Sequence, residues 1–244
     1  MDTKRNYLLK ITNLSQEFID AGIEPQVIER LIKSSYSVSL KKGDCFHACD
    51  EGAMLIYFRS GCLFDVLNIS EDYLSTSLLW TPGYITVTLP KELNQFENKS
   101  YYYICLIDAE ITVIPKTAIY REQQISKQLF NFILQRSSEY LFASRDMALM
   151  RATLDKKENI ALRLIVMYIS MEGVNFSLTI DDLSLLAGTN RKYCSEYIAT
   201  LQGKGILEKG YGKVTIIDFV KLKRELDPKI INFFSNYLRL KKIN

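Results

Sequence analysis

Residues 179–201, TIDDLSLLAGTNRKYCSEYIATL, have the pattern of two short helices joined by a tight turn. Thr179 is a residue type that caps helices, and Asp182 three positions later stands where a capping box has its acid. Gly188 supplies the backbone freedom that a sharp turn requires. Apolar residues at helical spacing give the first helix its buried face: Leu183, Leu186 and Ala187. The segment therefore predicts a helix-turn-helix.

The second predicted helix is capped by Asn190 or Thr189 and has one apolar and one polar side. The apolar side consists of Cys194, Tyr197, Ile198 and Leu201. Polar side chains near a helix N-terminus suit the DNA major groove, where Arg and Lys donate to guanine or phosphate and Glu accepts from cytosine. The candidate DNA contacts of the motif are Thr179, Thr189, Asn190, Arg191, Lys192, Ser195 and Glu196.

Residues 206–217, ILEKGYGKVTII, follow this motif and predict a β-hairpin with a glycine-rich tip. A hairpin in this place forms a wing beside the two helices. Lys209, Tyr211 and Lys213 are its candidate contacts to the phosphate backbone, where they would position the domain without reading sequence.

The distribution of charge agrees with this motif. Residues 151–244 carry 16 basic and 10 acidic side chains, a net charge of +6, whereas residues 1–115 carry 10 and 15, a net charge of −5. A basic end attracts polyanions. An ordinary solvated surface can have the same balance, so the charge supports the motif and does not replace it.

Upstream of the motif, residues 126–150 contain no proline or glycine and predict one long helix. A helix of this length is about 37 Å long, more than one small domain covers. It is expected to form a homodimer through Leu129, Phe130, Ile133, Leu134, Tyr140 and Leu141. The alternative is that the helix lies on its own barrel.

The first part of the chain predicts two short helices between residues 15 and 34, followed by many short strands. Gly22 and Pro25 interrupt the helices. Turn residues separate the strands at Gly43, Ser60-Gly61 and Pro82-Gly83. The predicted strands are Leu55–Phe58, Leu63–Ile69, Ser77–Trp80, Ile85–Leu89, Tyr101–Ile107 and Ile111–Ile114. Strands at this spacing favour a small antiparallel barrel or sandwich.

After the wing, Asp227-Pro228 opens another predicted helix. Its apolar residues are Ile230, Ile231, Phe233, Phe234, Tyr237, Leu238 and Leu240. They require cover, either on the winged domain or from a partner.

This order of elements resembles the Crp/Fnr family of bacterial transcription regulators over roughly residues 8–226. The resemblance implies an α+β fold with an antiparallel, cyclic-nucleotide-binding-like β-roll of jelly-roll type as sensor (1–115), a dimerisation helix (116–150) and a winged helix-turn-helix with an extra C-terminal helix (151–244). It implies a homodimer on a palindromic promoter operator in double-stranded DNA, with RNA polymerase as a further partner. The C-terminal helix is similar to the extensions of PrfA-like members, and a PrfA-like or YeiL-like member fits.

The chain departs from the family's cyclic-nucleotide binders at both ligand turns. Those proteins have a Gly-Glu-Leu turn and an Arg-Ser/Thr pair, whereas this chain has Ile85-Thr86-Val87 and Lys99-Ser100-Tyr101. We therefore expect no cAMP binding and no cofactor, and the effector of the β-roll is unknown. In the recognition helix only Arg191 carries over from the family's common pattern, so the DNA sequence that is bound should differ.

Five scattered cysteines and an N-terminus, MDTKRNYLLK, without an apolar signal core predict a cytoplasmic protein, and no apolar run is long enough to span a membrane. Catalysis is not expected, because His47 is the only histidine and no nucleotide-binding glycine loop is present. Cys45, His47 and Cys49 alternate as on one face of a strand, but core and rim residues fit equally well, so no metal site is predicted.

Two alternatives remain open. In the first, the β-roll is the working part, as a module that binds a ligand or partner beside a degenerate helix-turn-helix without DNA affinity. Cys194 is either a redox switch in the recognition helix or, as its place on the apolar face indicates, an inert core cysteine.

Overall fold

The computed structural model describes residues 13–48, 52–70, 73–88, 101–123, 126–171, 178–210 and 213–231. The chain divides into two compact units, one made mainly of residues 9–144 and the other of residues from 145 onward. This division falls inside the long helix. The three-part division predicted from the sequence stays a prediction.

The first unit begins with helices α1 (Leu14–Asp20) and α2 (Pro25–Ser34). The Asn13 side chain caps α1 by accepting a hydrogen bond from the Ser15 N–H at 2.9 Å. Pro25 occupies the first turn of α2, where its missing N–H has no helical partner to lose. Each helix buries one face, as the spacing of apolar residues predicted. Phe18 and Leu31 are fully buried, while Ile19 is exposed.

A six-stranded sheet follows these helices. Its strands are β1 (Tyr36–Leu40), β2 (Cys45–Phe46), β3 (Ala53–Ser70), β4 (Tyr73–Trp80), β5 (Ile85–Val87) and β6 (Tyr101–Pro115). The order is β1-β6-β3-β4, with β2 paired to β6 and β5 to β3. The registers of β1, β2 and β3 with β6, and of β5 with β3, are antiparallel. The predicted α+β class with an antiparallel β-roll is confirmed.

One predicted turn is wrong. Ser60-Gly61 does not separate two strands, because β3 runs through it with register shifts against β6. Gly61 has a φ of +73°, and a β-carbon there would lie 2.2 Å from the Asp108 carbonyl oxygen. Bulges bend a strand without ending its pairing, and a glycine at a bulge has the same local sequence signal as a glycine in a turn.

The core of this unit joins the sheet to helices α1, α2, α3 (Lys116–Gln123) and the start of α4 (Lys127–Thr153). The Phe18 and Phe132 rings meet edge to face at a centroid distance of 5.3 Å. Arg30 of α2 donates three hydrogen bonds to the Glu122 carboxylate of α3 at 2.8–3.0 Å. The buried members of the core are Leu14, Phe18, Ile23, Val27, Ile28, Leu31, Met54, Leu55, Ile85, Val87, Ile114, Ala118, Ile119, Leu129, Phe132 and Ile133.

Helix α4 does not present the predicted dimerisation residues on one stripe. Leu129 and Ile133 are buried in the core of their own chain. The prediction that these two side chains contact a second copy is therefore corrected. Tyr140 stacks on Trp80 at 5.8 Å, and its hydroxyl lies 3.0 Å from that of Tyr101. The side chains that remain exposed are Phe130, Leu134 and Leu141, at 49%, 56% and 59%. Consecutive residues are turned by about 100° on a helix. The predicted residues come in three such consecutive pairs, and each pair is therefore split between two faces of α4.

The second unit contains α5 (Lys156–Ser170), α6 (Ile180–Ala187), α7 (Arg191–Gly203), β7 (Leu207–Gly210), β8 (Lys213–Ile216) and α8 (Phe219–Lys223). Helix α5 is buried over every residue from Asn159 to Met167, so it forms the centre of this unit. Asp155 and Glu158 cap it reciprocally. A further helical turn begins at Pro228. The predicted apolar residues from Phe233 onward lie outside the described residues.

Candidate DNA-binding surface

The first helix of the predicted motif begins at a complete capping box. The Asp182 N–H donates to Thr179 Oγ1, and the Thr179 N–H donates to Asp182 Oδ2, both at 3.0 Å. These bonds satisfy backbone donors that have no partner inside the helix. Thr179, predicted as a DNA contact, therefore already uses its hydroxyl as a cap in the free protein.

The turn between α6 and α7 depends on Gly188, which has φ +63° and ψ +39°. Its N–H donates to the Leu185 carbonyl at 3.1 Å, and the next N–H, of Thr189, donates to the Ser184 carbonyl at 2.9 Å. Asn190 then caps α7, since its Oδ1 accepts from the Tyr193 N–H at 2.8 Å. The predicted helix-turn-helix is thus present, with the predicted caps and glycine.

Helix α7 buries the side that was predicted to be apolar, namely Cys194, Tyr197, Ile198 and Leu201. The Tyr197 hydroxyl donates to Glu225 at 3.2 Å, and Lys204 bonds to the same carboxylate at 2.7 Å. Burial, with Glu225 close by, raises the pKa of Tyr197. These contacts fix the rotation of α7 about its axis and so decide which side chains face outward.

The outward side of α7 carries Arg191, Lys192 and Glu196, all exposed, with Ser195 half-buried between them. Thr189 differs from these residues because its Oγ1 is buried and accepts or donates no hydrogen bond within the described structure. Thr189 as a whole is half-buried, and its DNA contact stays a prediction.

The wing consists of β7 and β8, paired antiparallel from Leu207↔Ile216 to Gly210↔Lys213. Lys209 and Lys213 are exposed. Tyr211, the third predicted wing contact, lies outside the described residues.

The helix and the wing enclose one groove of about 400 Å³. Five of the predicted DNA contacts line it: Thr179, Arg191, Ser195, Lys209 and Lys213. Three of these are cations, contributed by the first turn of α7 and by both wing strands. Residues separated by up to 34 positions in the sequence thus form a single basic surface.

No protein-family model and no curated protein matches the sequence. Solved structures do match. A transcriptional regulator of the Crp/Fnr family from Eubacterium rectale superimposes with a TM-score of 0.69 at 14% identity, over 85% of this chain and 96% of that one. The CRP-family regulator TTHB099 from Thermus thermophilus superimposes with a TM-score of 0.61 at 15% identity, over 77% of this chain and 95% of that one. The c-di-GMP-responsive global regulator CLP from Xanthomonas campestris superimposes with a TM-score of 0.58 at 18% identity, over 79% of this chain and 99% of that one. The chain has the Crp/Fnr fold.

Two charged residues that contact the recognition helix were not predicted from the sequence. Asp181, in the first turn of α6, approaches Arg191 to 3.1 Å. Lys156, at the start of α5, holds its ammonium 5.5 Å from the centre of the Tyr193 ring. A lysine beside a cap and an acid beside a capping box are common in any helix, so the sequence carried no signal that singled them out.

The cysteines of this Crp/Fnr-fold protein are mostly interior. Cys62, Cys105 and Cys194 are buried, whereas Cys45 is exposed. Burial raises the pKa of the Cys194 thiol to about 11, so it is protonated at neutral pH and lacks the reactive thiolate. This favours an inert core cysteine over a redox switch at Cys194. Cys49 lies outside the described residues.

Ile85-Thr86-Val87 stands at the first of the two positions where cyclic-nucleotide binders have a ligand turn. In this chain it is the buried strand β5 of the β-roll. Ile85 and Val87 pack in the core shared with α1 and α2. Lys99 and Ser100 of the second turn lie outside the described residues. Within the described part, no three His, Cys, Asp or Glu side chains are placed to hold a metal ion, and no helix is long and apolar enough to cross a membrane.

Proposed function

We propose that this protein is a sequence-specific DNA-binding transcription regulator without catalytic activity. The observation that supports this proposal is the convergence of Arg191, Lys209 and Lys213 on one groove beside an exposed helix N-terminus. A helix of this kind fits the major groove, and a flanking wing reaches the phosphate backbone. The solved structures with this fold are described as transcription regulators.

Within this proposal the side chains have separate roles. Arg191 and Lys192 donate to base edges, and Glu196 accepts from cytosine. Lys209 and Lys213 neutralise phosphates, so affinity falls steeply as salt rises. Lys156 is a third backbone contact, because its position over Tyr193 places an ammonium next to the recognition helix.

The active form is a homodimer that binds a roughly palindromic operator. Phe130, Leu134 and Leu141 form an exposed apolar face on α4 that a second copy would cover. Two recognition helices then enter successive major grooves about 34 Å apart, one turn of DNA. RNA polymerase is the partner through which binding would change transcription in the cytoplasm.

The signal that modulates this activity acts at the β-roll and is not cAMP. Buried Ile85 and Thr86 stand where a nucleotide-binding turn would need glycine and an acid. The effector is therefore of another chemical kind.

Selection of bound duplexes from a random pool by the full-length protein tests the proposal. Wild type should enrich a palindrome, and the Arg191→Ala, Lys192→Ala double variant should lose it. Lys223→Ala with Arg224→Ala removes the same charge from residues outside the groove and should retain the palindrome. Absence of any enriched sequence would contradict the proposal and favour the β-roll as a ligand-binding or partner-binding module with a degenerate helix-turn-helix.

A further inference from the structure

An acidic side chain lies next to the arginine that is proposed to read DNA. Asp181 Oδ1 and Arg191 Nε are 3.1 Å apart, and the two side chains are 65% and 73% exposed. The residues come from different helices, since Asp181 is in the first turn of α6 and Arg191 begins α7. Both line the groove between the recognition helix and the wing.

Helix capping does not account for this pair. Thr179 and Asp182 already supply the capping box of α6, so the Asp181 carboxylate is not needed as a cap. Exposed ion pairs contribute little to folding, because solvent screens them and two long side chains lose freedom. The pair does show that the Arg191 side chain is directed toward Asp181.

We propose that Asp181 is a specificity-determining positioning residue, which holds the Arg191 guanidinium for base contact and disfavours its use on phosphate. This inference rests on the proposed function. The shortest contact uses Nε, on the stem side of the guanidinium. The terminal nitrogens, which form the bidentate contact with guanine, are not the atoms of this contact and stay available for a base edge.

The charge of Asp181 adds a second effect. Among the residues that line the groove it is the acid beside three cations, Arg191, Lys209 and Lys213. A carboxylate on a surface that receives DNA repels phosphates whatever the base sequence is. It therefore weakens binding to every duplex by about the same factor, and the oriented Arg191 adds a contact that only the correct site offers, so discrimination increases through Arg191.

The test compares wild type with Asp181→Asn, which keeps the shape and removes the charge. Dissociation constants are measured for the selected operator and for a scrambled duplex at several salt concentrations. We expect the scrambled duplex to bind several-fold tighter and the ratio between the two duplexes to fall about tenfold, within the range of one base contact. Glu208→Gln removes the same charge from an exposed position of β7 and should leave the ratio unchanged.

A double-mutant cycle with Arg191→Ala separates positioning from charge. If Asp181 acts through Arg191, then Asp181→Asn in the Arg191→Ala background shifts both duplexes by the same factor. The inference is overturned if the single variant keeps the wild-type ratio, or if the ratio falls equally in both backgrounds. Unchanged thermal unfolding shows that the variants fold.

The outcomes also separate this inference from the proposed function. A wild-type protein that prefers an operator, together with an unchanged ratio in Asp181→Asn, overturns only the role of Asp181. A wild-type protein that binds both duplexes equally overturns the sequence-specific function, and the role of Asp181 with it.

Discussion

The guanidinium of Arg151 covers Gly188 so closely that a β-carbon at residue 188 would lie 2.6 Å from Arg151 Nη2. Gly188 also has a left-handed backbone, with a φ of +63°. The end of α4 and the turn of the helix-turn-helix are therefore in contact at a position whose backbone conformation favours glycine.

Gly188→Ala should destabilise the winged unit, because a left-handed conformation costs a residue with a β-carbon roughly 1–2 kcal/mol, and the displaced arginine adds to that. Urea denaturation followed by circular dichroism measures the loss. Gly203→Ala is the matched control, since Gly203 is in helix α7 with open space around it. Equal effects of the two substitutions would show that neither the backbone nor the arginine contact matters.

Leu134→Asp with Leu141→Asp should convert the protein to a monomer. Both leucines are exposed on α4, and a charge at each would make burial against a second copy unfavourable. Sedimentation equilibrium gives the mass, and operator binding should weaken with it. Leu129→Ala serves as the contrast: this residue is fully buried in its own chain, so its loss should cost about 2–5 kcal/mol of stability without changing the mass of the folded species. A double variant that remains dimeric would place the interface elsewhere.

Lys213→Ala should weaken binding to all sequences about equally and reduce the slope of log K against log salt by about 0.9, the value for one phosphate contact. Arg191→Ala should instead cost about 1–3 kcal/mol at the operator and less on scrambled DNA. Fluorescence anisotropy with both duplexes across a salt series separates the two behaviours. A sequence-dependent loss in Lys213→Ala would mean that the wing reads bases.

Glu122 should make the first unit sensitive to acid. Its hydrogen bonds from Arg30, and also from Arg121, hold the pKa of this buried carboxyl below its usual value of 4.5. A pKa that is lower in the folded than in the unfolded state gives stability that is present above about pH 4.5 and is lost as pH falls through the folded value.

Glu122→Gln should therefore be less stable than wild type at pH 7, by about 1–3 kcal/mol for hydrogen bonds to a charged group, and the difference should shrink below pH 4.5. Urea denaturation at pH 7 and pH 3.5 measures both values. Glu29→Gln changes an exposed carboxyl on α2 and should show little difference at either pH. A difference that stays constant with pH would contradict a role for the ionised carboxylate.

The helix-turn-helix was predicted correctly because its determinants are local. Thr179, Asp182, Gly188 and Asn190 act through backbone groups no more than four positions away, and each residue type has few other uses in that pattern. The apolar face of α7 follows from the 3.6-residue period alone. Such features do not depend on what the rest of the chain does.

The prediction failed where a residue's surroundings come from distant segments. Gly61 was taken for a turn because a bulge in β3 exists only in relation to its partner β6, more than 40 residues later. Thr189 was predicted as a DNA contact, yet its hydroxyl oxygen is buried.

The sequence by itself thus determined the order of elements, the α+β class and the winged helix-turn-helix, since caps, glycines and periodicity encode them within a few residues. Only the tertiary structure decided that Leu129 packs inward while Leu134 stays exposed, and that Asp181 meets Arg191. The physical reason is that burial and ion pairing depend on the distance between atoms in space. Chain neighbours fix that distance within a helix turn, but across the fold the packing of whole elements sets it.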